Sequence, residues 1–208
     1  MGINQPEPGA QLHQGPVSVP RLAATVMLLR GGAQRLQVLL VRRNPEARFM
    51  GGAWVFPGGS VEPADGEGEA GLKAAARHEL AEEAGIELPA QDELIAFARW
   101  ITPEAVKTRF DTWFFLAAGP EAVEVKVDGY EIVDAIWLSP QAALASQAAG
   151  ELYLVLPTIT QLQQLAAFNT AAGLISHAAG REVEAVQPRI VGTGEAARIL
   201  LPGDPGYA

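Results

Sequence analysis

Three glutamates carry the clearest chemical signal in the sequence. Glu79, Glu82 and Glu83 stand at i, i+3 and i+4 within an Ala- and Leu-rich run. On a helix, at about 100° per residue, they share an arc of roughly 100° on one face. Carboxylates placed this way repel, by about 0.2–0.5 kcal/mol per pair even when exposed. A divalent, oxygen-preferring cation removes that penalty. Mg2+ typically takes one or two carboxylates, keeps waters and draws its other ligands from substrate phosphates. It can then polarise a phosphoryl oxygen and activate water. A solvated acidic helix face has the same spacing, so the surrounding elements decide between the two.

The segment Gly58 to Ile86 reads GGSVEPADGEGEAGLKAAARHELAEEAGI. Its composition predicts a helix over 70–84, with acidic residues before its start and Gly85 just past its end. Upstream, RLAATVMLLR (21–30) and QVLLV (37–41) predict two buried strands in a hairpin. A loop over 43–52 leads to a short strand over 53–56, stopped by Pro57-Gly58-Gly59. Residues 60–68 are an acidic, Gly-rich loop. Downstream, strands are expected over 94–101, 111–118 and 132–138. Ser139-Pro140 opens a helix to about Ala149. One or two helices follow over 157–179, then a terminal hairpin with a loose tail. This order predicts an α+β layer fold with a mixed sheet, not a regular βαβ array. The expected divisions are a flexible arm over 1–17, a core over 18–140, and a C-terminal helical extension and tail over 141–208 packed on that core.

Composition narrows the function classes. Of 208 residues, 15 are Lys or Arg and 24 are Asp or Glu, for a net charge of −9. That balance lacks the basic field that nucleic acid polymers require. A small anionic substrate remains compatible, because a bound metal inverts the local sign. The chain has no Cys, hence no disulfide and no thiolate chemistry, which fits a cytoplasmic location. No run approaches the roughly 18 apolar residues of a membrane span, and the N-terminus lacks the pattern of a secretory signal. The Ala-rich C-terminal helices suit either closure over the site or a homodimer surface.

The run Glu79-Leu80-Ala81-Glu82-Glu83-Ala84-Gly85-Ile86, preceded by Gly58-Gly59, resembles the signature box of the Nudix hydrolase family. That box reads Gly, five residues, Glu, seven residues, Arg-Glu, an aliphatic residue, any residue, Glu-Glu, any residue, Gly, an aliphatic residue. Two departures stand out. The interval from Gly59 to Glu79 is five residues longer, so the loop over 61–70 holds an insertion. His78 occupies the place of the family Arg, and Arg77 lies one residue earlier. Glu67 and Glu69 are the candidates for the early family Glu.

The resemblance implies an α/β/α sandwich and metal-dependent hydrolysis of a nucleoside diphosphate derivative, with Mg2+ or Mn2+ as cofactor. It assigns Glu82 and Glu83 as principal metal ligands, Glu79 as ligand or base, and Gly59 as a carbonyl within reach of the metal. Arg77 or His78 would orient Glu79; Arg77 is preferred because its charge needs no pH condition. In-line attack also needs a group on another side of the phosphate. Glu131, just before the strand containing Trp137, is chosen over Glu124, Asp128 and Asp134. Arg42 and Arg43 are candidate phosphate clamps. Trp54, Phe56 and Trp113 are candidates for stacking on a base, with core packing as the alternative. The segment VLLVRRNPEARFMGGAWVFPGG, the extended box and the C-terminal LLPGDPGY resemble the acyl-coenzyme-A diphosphatase branch. Nucleotide sugars, nucleoside triphosphates and a non-catalytic sensing role are the alternatives.

Overall fold

A computed structural model describes residues 15–31, 35–89, 92–120, 122–193 and 196–207. The expected arm lies for the most part, over residues 1–14, outside them. The apolar run Arg21–Arg30 forms strand β1, buried on both faces from Ala23 to Leu29. It runs parallel to β6 (Phe110–Ala118) along nine residue pairs and so sits mid-sheet. Strand β2 (Gln37–Arg43) meets β1 only at Leu29–Val38 and Arg30–Gln37, then diverges to pair with β7 (Ile132–Leu138). The expected hairpin pairing is present at these two positions, beyond which the strands splay into a fork.

Into the fork fall β3 (Trp54–Val55), paired with β2, and β4 (Gly58–Ser60), paired with β1. Pro57 ends β3 as expected, but the two glycines do not remain a turn. Divergence of β2 leaves the β1 edge from Ala23 to Thr25 unpaired, and Gly58–Ser60 fills it. Strand β5 (Ile95–Ile101) continues the sheet beside β6, and β8 (Ala185–Val186) adds two residues to its outer edge.

Strand alternation divides the core into two layers. Ala24, Val26, Leu28, Leu39 and Val41 face helix α1 (Gly68–Ala84), which buries Leu72, Ala75, Ala76, Leu80 and Ala84. Met27, Leu29, Val38 and Leu40 face α2 (Pro140–Ala148), α3 (Leu156–Leu165) and α4 (Ala171–Ala178). The result is the α+β sandwich with a mixed sheet that the residues implied. Caps set the helix ends. Gly85 closes α1 in the left-handed region at φ 65°, and Ser139 caps α2 by accepting from Ala142 N. The terminal hairpin is present as β9 (Arg189–Val191) and β10 (Arg198–Leu200). Among the described residues, no helix is long and apolar enough to cross a membrane.

Candidate active site

Helix α1 lies over β4, and its buried stripe decides how the three glutamates differ. Glu83 continues the stripe of Leu72, Ala76 and Leu80, so it turns into the protein and is only 3% exposed. The peptide N–H of Gly58 donates to its Oε2 at 2.9 Å. Burial raises the Glu83 carboxyl from 4.5 to about 8. The Gly58 N–H and the Arg43 charge oppose that rise, and Glu79 and Glu131 add to it.

Glu79 packs against Gly59, where a Cβ would collide with its carboxylate. Only glycine leaves that space. Burial, then the charges of Glu82 and Glu131, raise Glu79 to about 7; His78 lowers it and Asp65 raises it slightly. Glu82 stays exposed and meets His78 Nε2 at 3.3 Å through Oε1.

Glu131 reaches the same electrostatic field from a different element, acting on both Glu79 and Glu83. Its loop is held by Asp128, whose Oδ1 accepts from the N–H groups of Tyr130, Glu131 and Ile132 at 2.5, 2.8 and 3.1 Å. Asn44 ties this loop to the end of β2, its N–H donating to Glu131 O at 2.8 Å. Asp134 accepts from Ala135 N, and Glu124 lies 3.6 Å from Lys126. Glu131 thus raises both Glu79 and Glu83 from outside the helix.

The donor set fits a hard divalent cation: oxygen only, concentrated negative charge, and two carboxyls held protonated near neutrality in the absence of a counter-charge. Among the described residues, no three acidic or histidine side chains form a ready-made cage. Glu83 is turned to Gly58 N and Glu82 to His78, and a cation that keeps several waters needs only part of the set at once.

The remaining sequence candidates separate cleanly. The charge of Arg43 acts on Glu83. Arg42 continues the Val38–Leu40 series toward the opposite layer, and its Nε is buried without a hydrogen-bond partner. It is not beside Arg43 as a second clamp. Trp54 is 8% exposed and packs within the core on that side. Arg77, preferred from the sequence, is directed elsewhere. Its guanidinium donates to the carbonyls of Leu88, Pro89 and Asp92, stapling α1 to the loop that follows it. His78 instead lies between Glu82 and Asp65, with Nδ1 3.7 Å from Asp65 Oδ1.

Asp65 is not among the residues expected from the sequence. Glu67 is the cap position of α1 and Glu69 pairs with Lys73 at 2.7 Å, while Asp65 is nearly buried and faces His78. The signal is available by counting forward. The family spacing of Gly, five residues, acid leads from Gly59 to Asp65, which puts the insertion after this residue and before Glu79.

Comparison with known proteins agrees with the fold. The NUDIX domain model matches residues 19–158. The chain is 34% identical over 116 residues to the human acyl-coenzyme A diphosphatase NUDT19, covering 53% of this chain and 31% of that protein. It is 26% identical over 179 residues to putative nudix hydrolase 7 of Caenorhabditis elegans, covering 70% and 60% respectively. The matches thus span less than two thirds of either relative. A crystal structure of a NUDIX hydrolase from Alicyclobacillus acidocaldarius superposes with a TM-score of 0.70 at 28% identity, covering 76% of this chain and 96% of that one. With the box on α1, the mixed sheet beneath it and a family match over 19–158, the chain belongs to the Nudix hydrolase family.

Proposed function

We propose that the chain is a divalent-metal-dependent pyrophosphatase that hydrolyses a diphosphate linkage in a nucleoside diphosphate derivative, with coenzyme A or acyl-coenzyme A as the first substrate class. One observation carries the chemistry. Glu79 and Glu83 on α1 share a field with Glu131 on a separate loop, and the first two are raised to about 7 and 8. Such a group of carboxyls gains most from Mg2+ or Mn2+. Glu79, Glu82, Glu83 and the Gly59 carbonyl would hold the metal, which supplies Lewis-acid stabilisation of the phosphoryl oxygen. Glu131 takes a proton from, or positions, the attacking water. Arg43 offsets phosphate charge, and His78 with Asp65 positions Glu82. The human relative's name supports the substrate class, as does the extended box.

The test is product analysis by chromatography with Mg2+ and Mn2+, over coenzyme A, acyl-coenzyme A, nucleotide sugars, dinucleotides and nucleoside triphosphates. Metal-dependent release of a 3′,5′-adenosine bisphosphate-type product from coenzyme A is the expected result. Turnover of another class alone moves the substrate assignment. Binding without turnover under either metal favours a sensing module.

A further inference from the structure

We propose that Phe49, on the loop between β2 and β3, is the surface on which the nucleobase of the substrate stacks, with Phe110 and Arg21 behind it. This rests on the diphosphate reading above and adds a specificity-determining residue to it.

The loop over 44–52 is built to hold one shape. Its base is closed by Arg43 N donating to Ala53 O at 2.9 Å and Gly52 N to Arg43 O at 3.2 Å. Asn44 Oδ1 accepts from Glu46 N at 2.9 Å. A Cβ at Gly51 would stand 2.6 Å from Pro45 O, so the turn closes only with glycine there. Met50 adopts φ 52°, the left-handed region that a residue with its side chain seldom occupies. Strain of this kind persists where surrounding contacts enforce it, and it collects at ligand clamps.

What this loop presents is an aromatic ring in the open. Phe49 is 39% exposed. Its ring rests on Phe110 with centroids 5.9 Å apart, and the Arg21 guanidinium lies 5.1 Å from the Phe110 centroid. A ring held by a preformed loop binds a flat partner at little ordering cost. Every nucleobase offers such a face, and a nearby cation strengthens the stack.

Position links this ring to the diphosphate end. Arg43 Nε donates to Phe49 O at 3.3 Å. Asn44, at the other side of the loop base, donates through Nδ2 to Tyr130 O and through its N–H to Glu131 O, both at 2.8 Å. The loop therefore hangs from Arg43 and Asn44, and Asn44 also holds the backbone of Tyr130 and Glu131. The tryptophans do not compete for the role. Trp54 is in the core, and Trp113 is flanked by the Arg99 guanidinium at 5.2 Å and by Phe115 at 6.5 Å.

The experiment compares two non-hydrolysable probes by calorimetry with Mg2+ present: α,β-methylene-ADP, which has a base, and methylenediphosphonate, which has none. Phe49→Ala is expected to weaken the first by about tenfold or more, within the range for loss of one base–aromatic stack, and to leave the second within about twofold. Phe49→Trp should retain affinity for the first probe. Phe49→Leu, which keeps apolar bulk without a π face, should behave like Phe49→Ala. Equal losses for both probes, no loss for either, or full retention in Phe49→Leu would overturn the proposal while leaving the carboxylate reading intact. The same holds if Tyr130→Ala, and not Phe49→Ala, removes the base-dependent affinity. If the unsubstituted protein binds neither probe and hydrolyses no nucleotide, the carboxylate reading fails first and this one with it.

Discussion

Glu83→Gln should stabilise the metal-free protein at alkaline pH while removing its response to metal. The substitution keeps shape and an oxygen that can accept from Gly58 N, as Glu83 does at 2.9 Å. It removes a carboxyl whose folded-state value is about 8 against an ordinary 4.5. The sign follows from linkage. A carboxyl raised in the folded state holds its proton there after the unfolded chain has lost it, so stability falls as pH rises from about 4.5 and levels off above about 8. Between pH 6 and pH 8 the slope is about 1.4 kcal/mol per pH unit, for a total of about 3 kcal/mol. Gln has no such slope. At about 2–4 °C per kcal/mol for a chain of this size, the Tm advantage of the variant should grow by about 6–12 °C from pH 6 to pH 9. Thermal unfolding with chelator present measures it. Added Mg2+ at pH 9 should raise the Tm of the parent and leave the variant nearly unmoved. A variant-minus-parent difference that is flat with pH, or equal Mg2+ stabilisation of both, would refute the argument that burial of Glu83 stores energy which a cation recovers.

Metal affinity itself should rise from pH 6 to pH 9, because Glu79 and Glu83 must lose protons held to about 7 and 8, and Mn2+ titrations across that range read it directly. Glu131→Gln should cut turnover by about 10²-fold or more at saturating metal, with Glu124→Gln and Asp134→Asn within threefold, roughly the scatter expected of surface changes. Gly59→Ala should depress metal affinity and turnover with Tm nearly kept, since the added methyl meets the movable end of Glu79 and not backbone. Arg77→Ala and His78→Ala should part company in one assay pair. The first loses contacts to the carbonyls of Leu88, Pro89 and Asp92 and should cost about 2 kcal/mol with metal affinity unchanged; the second should weaken metal binding with little change in Tm.

The helical spacing of Glu79, Glu82 and Glu83 and the apolar runs of β1, β2 and β6 are legible in the sequence because each is a local pattern. The differences among the three glutamates are not. Glu83 is buried because it falls on the stripe of Leu80 and Ala84, and Glu82 is exposed because it does not; both follow only once α1 has a side facing the sheet. Strand β4 reads as a turn because Gly58 and Gly59 carry no strand propensity. They pair because β1 has a vacant edge there, a tertiary fact. Trp54 suits stacking by residue type alone, and only the fold places it in the buried cluster shared with α2, α3 and α4. Arg77 and His78 differ by one position, about 100° on the helix, which is enough to send one side chain to the carbonyls of Leu88, Pro89 and Asp92 and the other to Glu82. Asp65 is within reach of a count forward from Gly59, whereas a count backward from Glu79 crosses the insertion and misses it.

The long parallel seam between β1 and β6 also sets the order in which this molecule can assemble. Ala24 pairs with Gly59, 35 residues away, and with Trp113, 89 residues away. The fork of β1 and β2, the return of β4 and the docking of α1 all close shorter loops, so chain entropy favours them first. The seam must wait for the rest of the chain, and contacts at that separation slow folding. Refolding rates should therefore respond to β6 substitutions such as Phe115→Leu, which weaken the seam. Because α1 docks before the seam closes, exchange of its buried Glu83 should also register in the refolding rate. The candidate carboxylates are then set in place early, on the part of the fold that the seam later locks.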